Sequence, residues 1–118
     1  MKKKSIVKNQ RDFTKIIKSR KFVKNNVFVI YYLNNEEKYD RFGVSVGTKL
    51  GNAVFRNKYK RKIRAIVDNY KKTKKDYVNY KDYIIILREK GSNLSYKELE
   101  ENFVSLMNII RKEDKIDK

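Results

Sequence analysis

One stretch of the sequence decides the fold: Gly51-Asn-Ala-Val-Phe-Arg-Asn-Lys-Tyr-Lys-Arg-Lys-Ile-Arg64. From within it, apolar residues recur at i, i+4, i+7, i+8 and i+11, namely Tyr59, Ile63, Ile66, Val67 and Tyr70. This spacing defines one face of an amphipathic helix over residues 52–70. The Gly-Asn pair before it predicts a flexible corner with an N-cap, whose free N–H groups can also face a phosphate.

The other side of this helix carries cations. Arg56, Lys60 and Arg64 stand at i, i+4 and i+8, with Asn57 and Arg61 beside them. Because one helical turn rises about 5.4 Å, such a row can follow successive phosphates. Arginine binds phosphate through paired hydrogen bonds, and an amide can contact a base edge, a ribose hydroxyl or a hydrated metal ion. The pattern favours a nucleic-acid interface over a merely solvated helix face.

Two strands are predicted before the helix. Residues 27–33 are β-branched and aromatic, and residues 41–47 alternate apolar side chains with glycine and serine. The polar link at residues 34–40 predicts that the two strands form a hairpin. Gly43 and Gly47 leave one face of the second strand nearly bare, so either a packed helix or an RNA strand can approach it, and helix packing is favoured.

Three further elements complete the pattern. Residues 9–19 predict a helix with Asn9 as N-cap and with Phe13, Ile16 and Ile17 on one stripe. Residues 82–88 contain a continuous apolar stretch from Tyr83 to Leu87, which fits a strand buried on both faces, so the basic helix between two strands suggests a parallel βαβ crossover.

The C-terminal region predicts a last helix. Ser95 and Glu98 have the spacing of a capping box. The following apolar residues should point inward; they are Leu99, Phe103, Leu106, Met107 and Ile110. Residues 111–118 are predicted to form a disordered, frayed tail.

The element order helix, strand, strand, helix, strand, helix predicts an α+β fold, a small mixed sheet packed with helices. A chain of 118 residues fits one domain, and we find neither an internal repeat nor a linker. Residues 1–118 are therefore treated as a single domain.

Composition narrows the function classes. The chain has 31 Lys and Arg against 14 Asp and Glu, a net charge of +17, which implies a polyanionic partner. It has no Cys and no His, which excludes thiol nucleophiles, disulfides and histidine acid/base chemistry from the protein. No catalytic or metal-ligating residue is predicted. Without a signal peptide or a membrane-spanning run, we expect a cytoplasmic protein.

Three rival functions share some of these features. A ribosomal-type structural RNA-binding protein has the same size, charge and fold type. A protein-only nuclease needs clustered carboxylates, whereas the acidic residues here are scattered, with Glu36 and Glu37 in a turn and others on the last helix. A basic amphipathic helix can also bind anionic lipid, but this one is predicted to pack between two strands.

The segment Arg41-Phe-Gly-Val-Ser-Val-Gly, followed by residues 49–64, resembles the signature of the bacterial ribonuclease P protein family. The core Arg-Asn-x-x-Lys-Arg-x-x-Arg is the hallmark of that family. The similarity extends to an Asp12-Phe13 helix, to Phe28-Val-Ile-Tyr31 and to Asp82-Tyr-Ile-Ile-Ile-Leu-Arg88. Departures from the family pattern are peripheral: Thr48, Ala65, Ile17 and Arg20 stand where Lys, Glu, an aromatic residue and Gly are common.

The resemblance implies a division of labour within an endoribonuclease that trims tRNA precursors. The RNA subunit would bind catalytic Mg²⁺ and cut the phosphodiester, while the protein binds that RNA and the 5′ leader of the precursor. No membrane or small-molecule partner is implied. The resemblance also implies a left-handed crossover, against the general right-handed preference.

The resemblance assigns two sets of residues. The RNA-binding set is Arg56, Asn57, Lys60, Arg61 and Arg64, with Lys49 and Lys58. The leader-binding set lies in a cleft between the first helix and the sheet and comprises Phe13, Ile17, Tyr31 and Arg11. Aromatic stacking in that cleft contributes about 1 to 3 kcal/mol per base. Phe13 and Ile17 also fit the core of any small domain.

Overall fold

A four-stranded mixed sheet carries one helix on one face and two on the other, which confirms the α+β class. A computed structural model of the chain describes residues 6–7, 9–37, 39–73 and 80–116. Its elements are α1 (Gln10–Lys18), β1 (Phe22–Lys24), β2 (Phe28–Asn34), β3 (Arg41–Val46), α2 (Ala53–Thr73), β4 (Lys81–Leu87) and α3 (Tyr96–Ile116). Short 3-10 turns lie at Thr48–Leu50 and Glu89–Gly91.

The sheet order is β1-β2-β4-β3, so the predicted hairpin of β2 and β3 is wrong. Strand β4 lies between them, antiparallel to β2 and parallel to β3. The link after β2 turns toward β4 instead of pairing with β3: the backbone N–H of Asn35 donates to the carbonyl of Tyr80. The physical reason is that β4 is apolar on both faces and gains hydrogen bonds and burial by having a neighbour on each edge.

The larger core lies under the α2 and α3 face of the sheet. Alternate residues of β2, β3 and β4 point to it, such as Ile30, Val44 and Ile85. Every apolar position predicted to be buried on α2 and α3 is buried there. The parallel β3-α2-β4 crossover is thereby confirmed, while its hand stays a prediction.

The smaller core lies under α1, on the opposite face. Val7, Ile16 and Ile84 are buried at its centre, and Phe13 and Tyr31 pack against them half-buried. The two faces alternate along each strand, since Ile84 lies in this core and its neighbours Tyr83 and Ile85 lie in the other.

The helix starts match the predicted caps. Asn9 Oδ1 accepts from the N–H of Arg11 at 2.9 Å, and Asn52 Oδ1 accepts from the N–H of Phe55 at 2.9 Å. The capping box also forms, because Ser95 Oγ accepts from the N–H of Glu98 while the Glu98 carboxylate accepts from the N–H of Ser95.

One strand of the sheet was not predicted, and the last helix extends further than predicted. Strand β1 is only three residues long, too short for a period-two pattern to be recognised. Helix α3 continues to Ile116, past residue 111, where a frayed tail was predicted to begin. The phenol of Tyr32 on β2 donates a hydrogen bond to the carboxylate of Glu113, which ties this last stretch of helix to the sheet. Residues 117 and 118 of the predicted tail lie outside the described residues.

Candidate nucleic-acid interface

Helix α2 is held rigidly by its buried face. Tyr59, Ile63, Ile66, Val67 and Tyr70 are all buried against the sheet and α3. The hydroxyl of Tyr59 also accepts a hydrogen bond of 2.7 Å from the backbone N–H of residue 93. Any side chain on the outer face of α2 is therefore presented from a fixed backbone.

The predicted RNA-binding residues lie together on the outer side of α2. Asn57, Arg61 and Arg64, at i, i+4 and i+7, are exposed and follow one stripe of the helix. Arg56 and Lys60 form the neighbouring row and are half-buried. We call these five residues the basic face.

The arginines of the basic face are free to bind an anion. Among the described residues, no carboxylate forms an ion pair with Arg56, Arg61 or Arg64. The Nε atom of Arg56 is buried and has no hydrogen-bond partner in the described part of the chain. Arg61 makes a long contact of 3.4 Å from its Nε to the carbonyl of Asn57, which keeps its guanidinium along the helix.

The two other residues predicted to bind RNA, Lys49 and Lys58, lie outside the basic face. Lys49 is exposed on the 3-10 turn that leads into α2, so it extends the positive surface beyond the helix start. Lys58 is exposed on α2 but follows Asn57 by one position, which turns it about 100° around the helix. Lys58 therefore borders the basic face.

On the opposite side of the sheet, the Phe13 side chain of α1 packs closely over a glycine of β3. A Cβ atom on Gly43 would lie 2.8 Å from Cζ of Phe13 and 3.0 Å from Cδ1 of Ile84. The bare face of β3 is thus used for helix packing at this position. Phe13 belongs to the small core, and its half-buried ring leaves only part of it for a ligand.

The predicted leader residues Ile17 and Tyr31 lie along the border of the same interface. Ile17 is one turn after Phe13 and is 39% exposed. Tyr31 packs against the small core from β2 and is half-buried. Its ring centroid lies 5.3 Å from that of Phe22, an exposed aromatic residue on β1 that sequence reasoning missed. Phe13 and Tyr31 therefore pack against the same small core, and Ile17 follows Phe13 along α1.

Arg11 is not brought together with these residues. It stands two positions before Phe13, which places the two side chains on nearly opposite sides of α1. Arg11 instead lines a shallow groove with Thr14, Lys15 and Leu33. The basic charge of that groove faces away from the Phe13 contact.

A network of charged side chains fixes α1 to the end of the sheet. Arg41 donates to both carboxylate oxygens of Asp82, at 2.8 and 2.5 Å, and lies 3.5 Å from the carboxylate of Asp12 on α1. Asn35 also donates to Asp82 at 2.8 Å. Hydrogen bonding to Asp82 raises the pKa of Arg41 above its ordinary value, so the guanidinium stays charged.

Within the described ranges, no three acidic side chains gather into a group that could hold a metal ion. Nor is any helix in that part of the chain long and apolar enough to cross a bilayer.

Comparison with known proteins agrees with the geometry. Residues 1–111 match the family model Ribonuclease P. The chain is 44% identical over 109 residues to the ribonuclease P protein component of Streptococcus agalactiae serotype III, covering 92% of this chain and 96% of that protein. It is 41% identical over 111 residues to the component of Mycoplasma capricolum, covering 94% and 100%.

Solved structures show the same architecture. The RNase P protein of Staphylococcus aureus superposes with a TM-score of 0.79 at 34% identity, covering 90% of this chain and 94% of that one. The RNase P protein of Thermotoga maritima superposes with a TM-score of 0.74 at 30% identity, covering 85% and 92%. On the family model, the relatives and the fold together, the chain belongs to the ribonuclease P protein family.

Proposed function

We propose that this chain is the protein subunit of ribonuclease P and binds the RNA of that complex through the basic face of α2. The observation that carries the proposal is a row of arginines on a rigid helix, without carboxylate partners among the described residues. Because the helix backbone is already fixed, the loss of conformational freedom on binding is confined to the arginine side chains, and no ion pair with a described carboxylate has to be broken before they bind phosphates.

The second part of the proposal concerns the substrate. The single-stranded 5′ leader of precursor tRNA would run along the border of α1 and the sheet, over Tyr31, Ile17 and the exposed part of Phe13. An apolar and aromatic strip in a chain of strongly positive net charge suits single-strand binding, because bases stack on rings while cations neutralise the backbone. Arg11 lies on the far side of α1 and would contact the leader only if the RNA wraps around that helix.

The third part assigns the chemistry to the RNA. This chain contains neither His nor Cys, and its described acidic residues form no cluster for a metal ion. In keeping with the family resemblance, Mg²⁺ would be held by the RNA subunit, which would cut the phosphodiester. The protein would act by binding and positioning, in the cytoplasm, where tRNA precursors are made.

Reconstitution tests the proposal. The protein is added to the cognate ribonuclease P RNA, and removal of the 5′ leader from a precursor tRNA is measured at low Mg²⁺ concentration. We expect faster cleavage with the protein than without it. A ribosomal-type RNA-binding protein, the rival that the family match does not favour, would bind RNA without changing leader removal. Equal rates with and without the protein would contradict the proposal.

A further inference from the structure

Phe22 and Tyr31 form a pair of rings on the α1 side of the sheet. The two residues are cross-strand partners of β1 and β2, and their ring centroids are 5.3 Å apart with planes tilted by 42°. Val23 packs against the larger core on the other side. Because side chains alternate along a strand, Phe22 and Lys24 both project toward the α1 side.

Helix α1 does not cover Phe22. The helix packs mainly on β2 and β4, whereas Phe22 lies on β1, the outer strand of the sheet. The ring is 44% exposed, although a phenylalanine in a folded chain is usually buried. Packing within the fold therefore buries only part of the Phe22 side chain and leaves the rest exposed.

Strand β1 nevertheless holds the ring in place. Asn25, directly after the strand, accepts hydrogen bonds of 2.9 Å from the backbone N–H groups of residues 27 and 28. Its amide nitrogen donates to the backbone carbonyl of Asn102 on α3 at 3.2 Å. Before the strand, the carbonyl of Lys21 accepts from the N–H of Tyr32 at 3.1 Å. The short strand is thus bonded at both ends.

The surroundings of the two rings select the kind of partner. Lys24 is exposed two positions after Phe22 and projects to the same side of the sheet, in a chain of net charge +17. A partly exposed pair of aromatic rings beside a cation suits a single-stranded nucleic acid, whose bases stack while its phosphates meet the positive charge. The pair also continues the strip over Tyr31 and Ile17 toward the edge of the sheet.

We propose that Phe22 and Tyr31 form a two-ring platform that stacks a further base of the single-stranded leader at the outer edge of the sheet. This inference rests on the proposed function, because it extends the same path. It adds Phe22 as a binding residue, and it implies that only leaders long enough to reach β1 use it.

Leader-length dependence of binding tests the platform. Affinity for precursor tRNA is measured with the reconstituted complex, using a series of leaders shortened stepwise from the 5′ end. Phe22→Ala should weaken binding of long leaders by about fivefold or more, the lower bound for losing one stacked base. It should leave binding of a leaderless tRNA unchanged. Phe22→Trp keeps an aromatic surface and should bind long leaders like the wild type.

The matched control is Ile109→Ala. Ile109 is 45% exposed on α3, which packs on the other face of the sheet. Its replacement with Ala therefore removes a similar apolar surface away from the leader path. We expect no change with any leader. Thermal unfolding of both variants should show that neither substitution disturbs the fold.

Tyr31→Leu separates the two proposals, since leucine keeps the packing against the small core but removes the ring. If Tyr31→Leu weakens long-leader binding and Phe22→Ala does not, the platform is wrong and the leader path stands. If neither variant has an effect and leader length itself does not matter, the leader path fails as well. If Phe22→Ala weakened the binding of long-leader precursors and of leaderless tRNA equally, the platform would also be wrong, because Phe22 would then act elsewhere.

Discussion

At the scale of single residues, the contact between Phe13 and Gly43 sets how closely α1 approaches the sheet. Gly43→Ala would place a Cβ atom 2.8 Å from the Phe13 ring and 3.0 Å from Cδ1 of Ile84, so these packed side chains must shift. We expect a loss of about 1 to 3 kcal/mol in the free energy of unfolding, the usual cost of overpacking. Chemical denaturation measures it.

Gly47→Ala is the matched control for this substitution. A Cβ atom there meets nothing within 4 Å, and the backbone of Gly47 (φ −64°, ψ 151°) is one that alanine adopts readily. It should be neutral in the same assay. An equally stable Gly43→Ala variant would show that the Phe13 ring is not packed against Gly43 as described.

The ion pair of Arg41 and Asp82 supplies a second prediction. Asp82 is buried and accepts hydrogen bonds from both Arg41 and Asn35. Asp82→Asn would leave a half-buried guanidinium without its carboxylate, and we expect a loss of about 3 kcal/mol in the free energy of unfolding. Asp12→Asn removes only the more distant partner and should cost less than about 1 kcal/mol. Similar losses for both variants would contradict this ranking.

The pH dependence of this ion pair follows from the raised pKa of Arg41. A raised pKa contributes stability in full below the ordinary value, and the contribution is lost only as pH rises through the raised value. Because the ordinary pKa of an arginine already lies above the pH range tested, the stability difference between wild type and Asp82→Asn should stay constant from about pH 7 to about pH 10. Urea denaturation at several pH values checks this, and a difference that shrinks toward pH 10 would contradict it.

At the scale of elements, α2 combines an apolar face that anchors it with a basic face that we expect to bind RNA. Replacing Arg56, Arg61 and Arg64 together with Ala should weaken RNA binding and flatten its salt dependence. Each lost phosphate contact lowers the slope of log K against log salt by about 0.7 to 1, so the slope should fall by about 2 to 3. Filter binding at several salt concentrations measures it.

The control for the arginine triple variant removes the same charge elsewhere. Lys90, Lys97 and Lys112 are exposed and lie outside α2, on the 3-10 turn after β4 and on α3. Their replacement with Ala lowers the net charge equally but should change the slope much less. If the two triple variants had the same slope, binding would depend on overall charge, and the basic face would have no special role.

At the scale of the whole molecule, the net charge of +17 should oppose the compact state. Salt screens this repulsion, since the Debye length falls from about 30 Å at 0.01 M to about 10 Å at 0.1 M. We therefore expect the RNA-free protein to gain about 1 kcal/mol, or about 4 °C in Tm, across this range. RNA binding should weaken over the same range, because released counterions drive it.

Thermal unfolding in chloride, with RNA affinity measured in parallel, checks these opposite trends. Sulfate at matched ionic strength is a useful second salt, because an anion that binds the native basic face adds stability beyond screening. A Tm that falls as chloride is added would contradict the expected self-repulsion.

The helices and the RNA-binding candidates could be predicted because their signals are local. The buried stripe of α2, from Tyr59 to Tyr70, and the inward face of α3 repeat every three or four residues, and a helix that buries one face must follow that period. The same geometry places Arg61 and Arg64 on the outer side. The caps at Asn9, Asn52 and Ser95 are likewise contacts between residues two or three positions apart.

Only the tertiary structure decided which strands pair and which side chains share a surface. Strand periodicity specifies a face but not a neighbour, so nothing within residues 27–47 showed that β4 would separate β2 from β3. The exposure of Phe22 beside Tyr31 and the position of Arg11 away from Phe13 depend on where α1 crosses the sheet. Such contacts join residues distant in sequence, and their free energy exists only once the whole core has assembled.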